Sequence, residues 1–350
     1  DHRDLHSFPT RRSSDLAGGW GEVQLAVGDN LRLIRSASDP NFPWTGVLLG
    51  SAIIGFWYWC TDQYIVQRTL SARNQKEARR GAIFAAYQKL LPVLIFLVPG
   101  MIAFTLNKKG IIHVASADQA FPTLVATLLP AGVKGLVVGG LLAALMSSLA
   151  SLFNSSATLF TVDFYKKFRP ASSERHLVFV GRMATAAVVL LGIAWIPVMK
   201  LVAGVLYEYL QQVQSLIGPS IAAVFLLGVS SKRITGLAGL VGLVSGFALG
   251  MARLALVIFQ NRLEPGGLLH WIVSVNWLHY CIFLFFFTMA VMVVVSVFSK
   301  PRDPAEIQGL TFGSATLKQI AETRESWNRW DVIHTCVVAG AVVAFYYRFW

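Results

Sequence analysis

Apolar residues along this chain fall in long blocks separated by short polar stretches. The blocks run at about 44–66, 81–106, 135–162, 177–199, 201–229, 234–259, 271–298 and 331–349. Each has the length, roughly 20 residues, that carries a helix across a hydrocarbon core about 30 Å thick. Backbone N–H and C=O groups find no water there, so each block is expected to be a helix and the chain an all-α polytopic membrane protein with about eight spans. In the first block, Gly55, Tyr58, Trp59, Asp62, Gln63 and Val66 recur at helical spacing, which predicts one shared inward-looking face.

Composition agrees: 55% of the 350 residues are hydrophobic and 14% are charged, against roughly a quarter charged in a soluble domain. The net charge of +12 raises nucleic-acid binding as an alternative, but the cations sit between apolar blocks and form no patch on a soluble face. They also alternate. The gaps holding Arg68 to Arg80, Lys166 to Arg175, Lys232 with Arg233, and Lys300 to Arg329 are basic, whereas the gaps between them hold few cations, Lys108, Lys109, Lys200 and Arg262. Basic loops stay cytoplasmic, so the first block is expected to end inside and the last outside. Cys60, Cys281 and Cys336 lack metal-ligand spacing and predict neither a disulfide framework nor a zinc site.

Residues 1–16, DHRDLHSFPTRRSSDL, are polar and have no apolar core of the kind a signal peptide needs, so they are read as a non-native leader. Residues 17–43 are expected to form a non-membrane connection to the first span, with the natural protein starting upstream. The segment 300–330 carries both signs of charge and is expected to be a cytoplasmic connector with at most one amphipathic helix.

Several polar residues fall inside apolar blocks. Asp62 either marks a pathway or caps the cytoplasmic helix end beside Arg68, because a carboxylate in a span costs about 2.5–3.5 kcal/mol on insertion scales. Lys89 either snorkels or donates into a central cavity. Ser147, Ser151, Asn154, Ser155 and Thr158 form one stripe, which serves close packing with hydroxyls bonded back to their own helix, or supplies neutral oxygens to a hard cation. Glu208, Gln211, Gln212 and Gln214 precede Gly218-Pro219, where the missing proline N–H frees the Ser215 carbonyl and predicts a kink. No nucleophile, base or phosphate-cradling loop forms a catalytic set, so an enzyme is not expected.

At these helices the chain resembles the sodium/solute symporter family, in its sodium/glucose cotransporter branch, over about residues 44–300. The segments that carry the resemblance are WYWCTDQYIVQRTLSA (57–72), LLP (90–92), PGM (99–101), FPTLVATLLPAGVKGL (121–136), LAALMSSLASLFNSSATLFTVDFY (142–165), GIAWIPV (192–198) and GPSIAAVFLL (218–227). The resemblance implies an inverted-repeat, leucine-transporter-like fold. Residues 44–229 would be its second five-helix repeat, 230–350 would be three accessory C-terminal helices with the loop near 300–330, and the first repeat would be missing. Residues 118–134 would lid the outer vestibule from outside the membrane.

The resemblance also implies roles. Ala144, Ser147 and Ser148 match the sodium-coordinating segment, the first through its carbonyl and the serines through hydroxyls. Tyr58 matches an aromatic that stacks on sugar as inner gate, with Trp59 beside it, and Lys89 and Gln211 match residues that hydrogen-bond sugar hydroxyls. Asp62, Gln63 and Arg68 match a gating or anchoring motif. Gly55 stands where glucose carriers place a hydroxyl or amide residue, which leaves the identity of the sugar open. The implied function is sodium-coupled sugar symport by alternating access in a plasma or inner membrane, with sodium as co-transported ion. Its rivals are symport of inositol, an amino acid or a vitamin, and a solute sensor without net transport.

Overall fold

The structure, a computed structural model, describes residues 15–202 and 205–349. Of the expected leader 1–16, residues 1–14 lie outside the described residues. Among those described, every regular element is helical. In chain order these are α1 (Trp20–Val27), the helical run α2 (44–61), α3 (Gln63–Leu70), α4 (Gln75–Lys108), α5 (Ala120–Leu128), α6 (Ala131–Phe168) and α7 (Glu174–Val202). They continue with α8 (Leu206–Ser230), α9 (Gly236–Ile258), α10 (Leu268–Ser274), α11 (Trp277–Phe298), α12 (Leu317–Glu325) and α13 (Arg329–Arg348).

Seven of these, α4, α6, α7, α8, α9, α11 and α13, are long and apolar enough to span a bilayer. The eighth expected span is shorter than its apolar block. Helical backbone stops at Thr61, and Asp62 is extended, with φ −74° and ψ 119°. The predicted face through Gly55, Tyr58, Trp59, Asp62, Gln63 and Val66 therefore does not run on: a helical period cannot be carried across an extended residue.

The described chain divides into two compact units. One holds the residues up to Leu33, Gly81–Leu191 and those from Val332 onward; the other holds Ile34–Arg80 and Gly192–Asp331. In the first, α1 folds where a plain connection was expected, because Val23 and Val27 recur one turn apart and bury, with Ala17, against Ile102, Ala103 and Leu106 of α4 and Leu124 of α5. Lys109 fixes that contact, its Nζ donating to the Ala17 carbonyl at 2.6 Å and to Glu22 at 3.0 Å. The apolar windows of α6 and α7 contain no residue buried against the described chain.

In the second unit, α8, α9 and α11 pack on one another. Lipid tails are as apolar as leucine, so helix association in a membrane rests on close packing and interhelical hydrogen bonds, and small residues let the backbones approach. Gly242, Gly246 and Gly250 put such a stripe on α9 at intervals of one turn. A Cβ on Gly250 would fall on the Leu216 carbonyl of α8, one on Gly246 would meet Ser220 and Thr288, and one on Gly242 would meet Met292 of α11. Thr288 Oγ1 lies 2.8 Å from the Leu284 carbonyl and 3.2 Å from Ser220 Oγ, so hydroxyls that would be orphaned in hydrocarbon satisfy one another. Arg253, a cation inside α9, is buried; its guanidinium donates to the Val275 carbonyl and lies 3.9 Å from the Tyr280 ring centroid.

α2 joins the same unit by the same means. Cβ atoms on Gly46 and Gly50 would approach Leu278 of α11 to 2.7 and 2.9 Å, and the Cys281 thiol donates to the Gly50 carbonyl. The lead-in to α2 is tied down outside the spans. Asn276 and Trp277 donate to main-chain carbonyls at 40–41, and Asn41 donates to Glu208. The Asp39 carboxylate accepts from the N–H groups of Phe42 at 2.7 Å and Asn41 at 2.9 Å. Those bonds, the Phe42 one foremost, hold its pKa below the ordinary carboxylate value, so its contribution is present near neutrality and is lost as pH falls through the folded value.

Pro219 stands inside α8, fully buried, and the helix continues through it. The connector 300–330 contains α12, opened by a capping box in which Thr316 and Gln319 exchange side-chain bonds to each other's backbone N–H.

The glycine stripe yields a direct test. Gly250→Val places methyl groups into the Leu216 backbone, an overpacking that costs typically about 1–3 kcal/mol, whereas Gly340→Ala on α13 meets nothing within 4 Å. Thermal melting of the detergent-solubilised protein should show the first variant melting well below the parent and the second unchanged.

Candidate functional site

The end of α2 is where chemistry-bearing residues collect. Trp57–Thr61 forms a π turn, the wider coil in which an N–H bonds the carbonyl five residues back, and such turns often mark functional sites in helices. The Trp57 carbonyl receives two donors, the Asp62 N–H at 3.0 Å and the Thr61 hydroxyl at 2.8 Å. Beyond it the chain extends at Asp62, whose carboxylate accepts the Tyr64 N–H at 3.1 Å and so caps α3. Asp62 thus caps the start of a separate helix, α3, of which Gln63 is the first residue, with Arg68 in its last turn. A carboxylate at a helix N-terminus gains from the helix dipole, which offsets part of its cost near the membrane.

Tyr58 and Trp59 occupy the π turn itself. Their rings meet edge to face, centroids 5.1 Å apart, and Tyr58 stands 6.1 Å from the Trp57 ring. Trp59 is exposed and Tyr58 partly buried, so the pair presents an aromatic surface with a phenolic hydroxyl. The π turn packs against α8, the helix that carries Gln211. Gln211, partly buried, lies two turns before Gly218 on the same side of that helix, and the structure thus joins Tyr58 and Gln211 in one unit. An aromatic face and a carboxamide carried on the helix packed against its turn suit a neutral solute bearing hydroxyl groups: the ring covers C–H faces and the amide both donates and accepts.

The remaining predicted residues belong to the other unit. Lys89 falls in a break of α4. Helix Gln75–Gln88 ends before it, and Pro92, lacking an N–H, precedes the π turn Val93–Leu97. Lys89 is exposed at that break. Ala144, Ser147 and Ser148 lie mid-way along α6, all exposed. The Ser151 hydroxyl donates back to the Ser147 carbonyl at 3.1 Å, the local bond expected of a helical serine. The segment offers a cation neutral oxygens on one helix, the two serine hydroxyls and the second lone pair of the Ala144 carbonyl.

A cavity of about 590 Å³ in the first unit, lined by Trp20, Val27, Leu94, Phe96, Met101 and Phe104 among other apolar residues, holds none of these residues. With Asn30 and the Trp20 indole N–H as the only polar side-chain groups among its lining residues, it offers a polyhydroxy solute few groups to bond. Trp57 was read only as a member of its motif, yet it joins the π turn to α8: a Cβ on Gly218 would come within 2.9 Å of its ring. The signal was the pairing of a large residue at a helix end with a glycine before a proline on another helix. Arg253 escaped altogether, although a lone arginine in an apolar block is itself the signal.

The model of the family described as sodium:solute symporter family matches residues 13–246. The chain is 38% identical over 332 residues to sodium/glucose cotransporter 1 of Ovis aries, covering 90% of this chain and 50% of that protein. It is 38% identical over 305 residues to a sodium/mannose cotransporter of Bos taurus, covering 81% and 50%, and 38% identical over 304 residues to sodium/myo-inositol cotransporter 2 of Homo sapiens, covering 81% and 45%. The chain spans about half the length of these relatives. All three are named as transporters rather than enzymes. With seven spanning helices among the described residues and a family model matched over most of its length, this multi-pass membrane chain belongs to the sodium:solute symporter family.

Proposed function

We propose that this chain supplies solute- and sodium-contacting helices of a symporter that couples inward sodium movement to uptake of a neutral polyhydroxy solute, with a glucose-like hexose as first candidate. The observation that carries the reading is the broken end of α2, where Tyr58 and Trp59 meet edge to face on a π turn packed against the helix of Gln211. An aromatic face, with a carboxamide on the helix packed against its turn, suits C–H faces flanked by hydroxyls. Glucose, mannose and myo-inositol, the solutes in the relatives' names, share that chemistry. Inositol is the second candidate, since a ring polyol differs from a hexose only in its arrangement of hydroxyls.

In this reading sodium binds Ala144, Ser147 and Ser148 on α6, while Lys89 contributes hydroxyl contacts from its break in α4. A hard cation requires more oxygens than one helix face supplies, and the α6 window has no buried residue against the described chain. A further helix, from a first repeat preceding this one, would complete the sodium shell and the solute site. Asp62, Gln63 and Arg68 anchor the inner end of the pathway. The sodium gradient does the work: one charge moved through 100 mV releases about 2.3 kcal/mol. Coupling then consists of a higher sodium affinity in the outward-open state.

In the transporter carrying both repeats, Ser148→Ala should raise the sodium concentration for half-maximal uptake severalfold in a labelled-hexose assay, and an unchanged sodium dependence would remove that site. Membrane vesicles holding only these 350 residues should show no sodium-dependent accumulation of labelled hexose or inositol. Accumulation there would refute the need for a first repeat. A panel of labelled solutes, with sodium present or replaced by choline, separates hexose from inositol, and sodium-independent binding without accumulation would favour a sensor.

A further inference from the structure

We infer that Trp57, seated on Gly218, is the positioning residue that sets solute affinity by fixing the π turn that presents Tyr58. The inference rests on the polyhydroxy-solute reading above and extends it to a residue outside the proposed solute contacts. Trp57 ends the packed side of α2. Gly46 and Gly50 hold that side against Leu278, Ile54 buries with Leu278 and Cys281, and Trp57 closes it by lying on Gly218 and packing with Ala222, Ala223 and Phe285. The fit is one-sided, since α8 contributes a glycine where any side chain would strike the indole: a Cβ there would lie 2.9 Å from Cδ2 and Cε3 and 3.2 Å from Cγ.

The same residue anchors the main chain. Its carbonyl takes both the Thr61 hydroxyl and the Asp62 N–H, so the last bonds of the helix converge on a residue whose ring cannot move toward α8. Downstream, Tyr58 and Trp59 project from the turn, Cys60 is exposed and Asp62 is extended. Trp57 is thus the last fixed point before the aromatic pair. Gln211 stands on the same side of α8 as Gly218, two turns earlier. The Trp57–Gly218 contact therefore sets the registry between the helix of Tyr58 and the helix of Gln211. A displacement of even part of an ångström at such a contact is felt at the site it positions.

Gly218→Ala, which pushes the indole, and Trp57→Phe, which loosens it, each disturb the registry, while the double variant replaces lost ring volume with a methyl group. In the complete transporter, each single variant should raise the solute KM about tenfold. The double variant should return KM toward the parent, a non-additivity that marks direct coupling. The sodium concentration for half-activation, read at saturating solute, should stay unchanged in all three. A fall in maximal rate with KM unmoved, or additive effects in the double variant, would overturn the inference and leave the contact as packing alone. A second readout needs no transport. In a Cys336→Ser background, in membranes, maleimide labelling of Cys60 should change severalfold in each single variant and revert in the double one, and an unchanged rate would also overturn the inference. A parent transporter with no saturable hexose or inositol uptake but with the expected Cys60 rates would instead sink the solute reading and keep the positioning contact.

Discussion

Backbone-to-backbone approach through glycine governs the second unit. A bilayer removes the aqueous driving force that would press helices together, so contact has to come from fit. On α9 a Cβ at Gly250 would fall on the Leu216 carbonyl, and at Gly242 it would strike Met292. On α2 the same role falls to Gly46 and Gly50 against Leu278, and on α8 to Gly218 against Trp57. Because these contacts involve main chain as well as side chains, they tolerate little adjustment. The polar groups they enclose are paired where pairing is geometrically available, as with Ser220 and Thr288, or Tyr280 with the Leu249 carbonyl.

Such rigidity makes the irregular places informative. α2 is glycine-locked along one side, coils as a π turn at Val47–Ser51 and again at Trp57–Thr61, and extends at Asp62. α4 breaks at Lys89 with Pro92 behind it, then coils as a π turn. Both breaks fall in segments matched to the family, and both carry residues read as contacting solute. Pro219, by contrast, sits in a continuous helix with its ring fully buried. The difference is context: the residues around Pro219 pack tightly against neighbouring helices, which hold α8 straight enough to continue, while Lys89 is exposed at its break.

The architecture was legible because the bilayer imposes length. Apolar blocks of about 20 residues can become little else, and seven of the eight were found as spanning helices. What sequence missed were departures from uniform helical period. Placing Asp62, Gln63 and Val66 on the face of Tyr58 assumed about 3.6 residues per turn throughout, and neither a π turn nor an extended residue announces itself in a pattern of apolar positions. α1 was missed because its short apolar recurrence, Val23 to Val27, lies among glycines and acids and becomes significant only when Ile102 and Leu106 arrive to cover it. Arg253 was overlooked because one cation scarcely lowers the mean hydropathy of its block, yet its carbonyl and ring partners, Val275 and Tyr280, lie 22 and 27 residues further along the chain.

Asp62 shows how position changes the meaning of a charge. Read as a carboxylate inside a span it demands a compensating role, and a pathway is the natural candidate. At the junction between α2 and α3 the demand is met locally, by the Tyr64 N–H and the positive end of α3. Its extended backbone then ends α2 one residue after the π turn, so that Tyr58 and Trp59 stand on the last coil of a locked helix instead of its middle. Trp57, seated on Gly218 and packed with Ala222, Ala223 and Phe285, is the boundary between that locked stem and the coil that carries the aromatic pair.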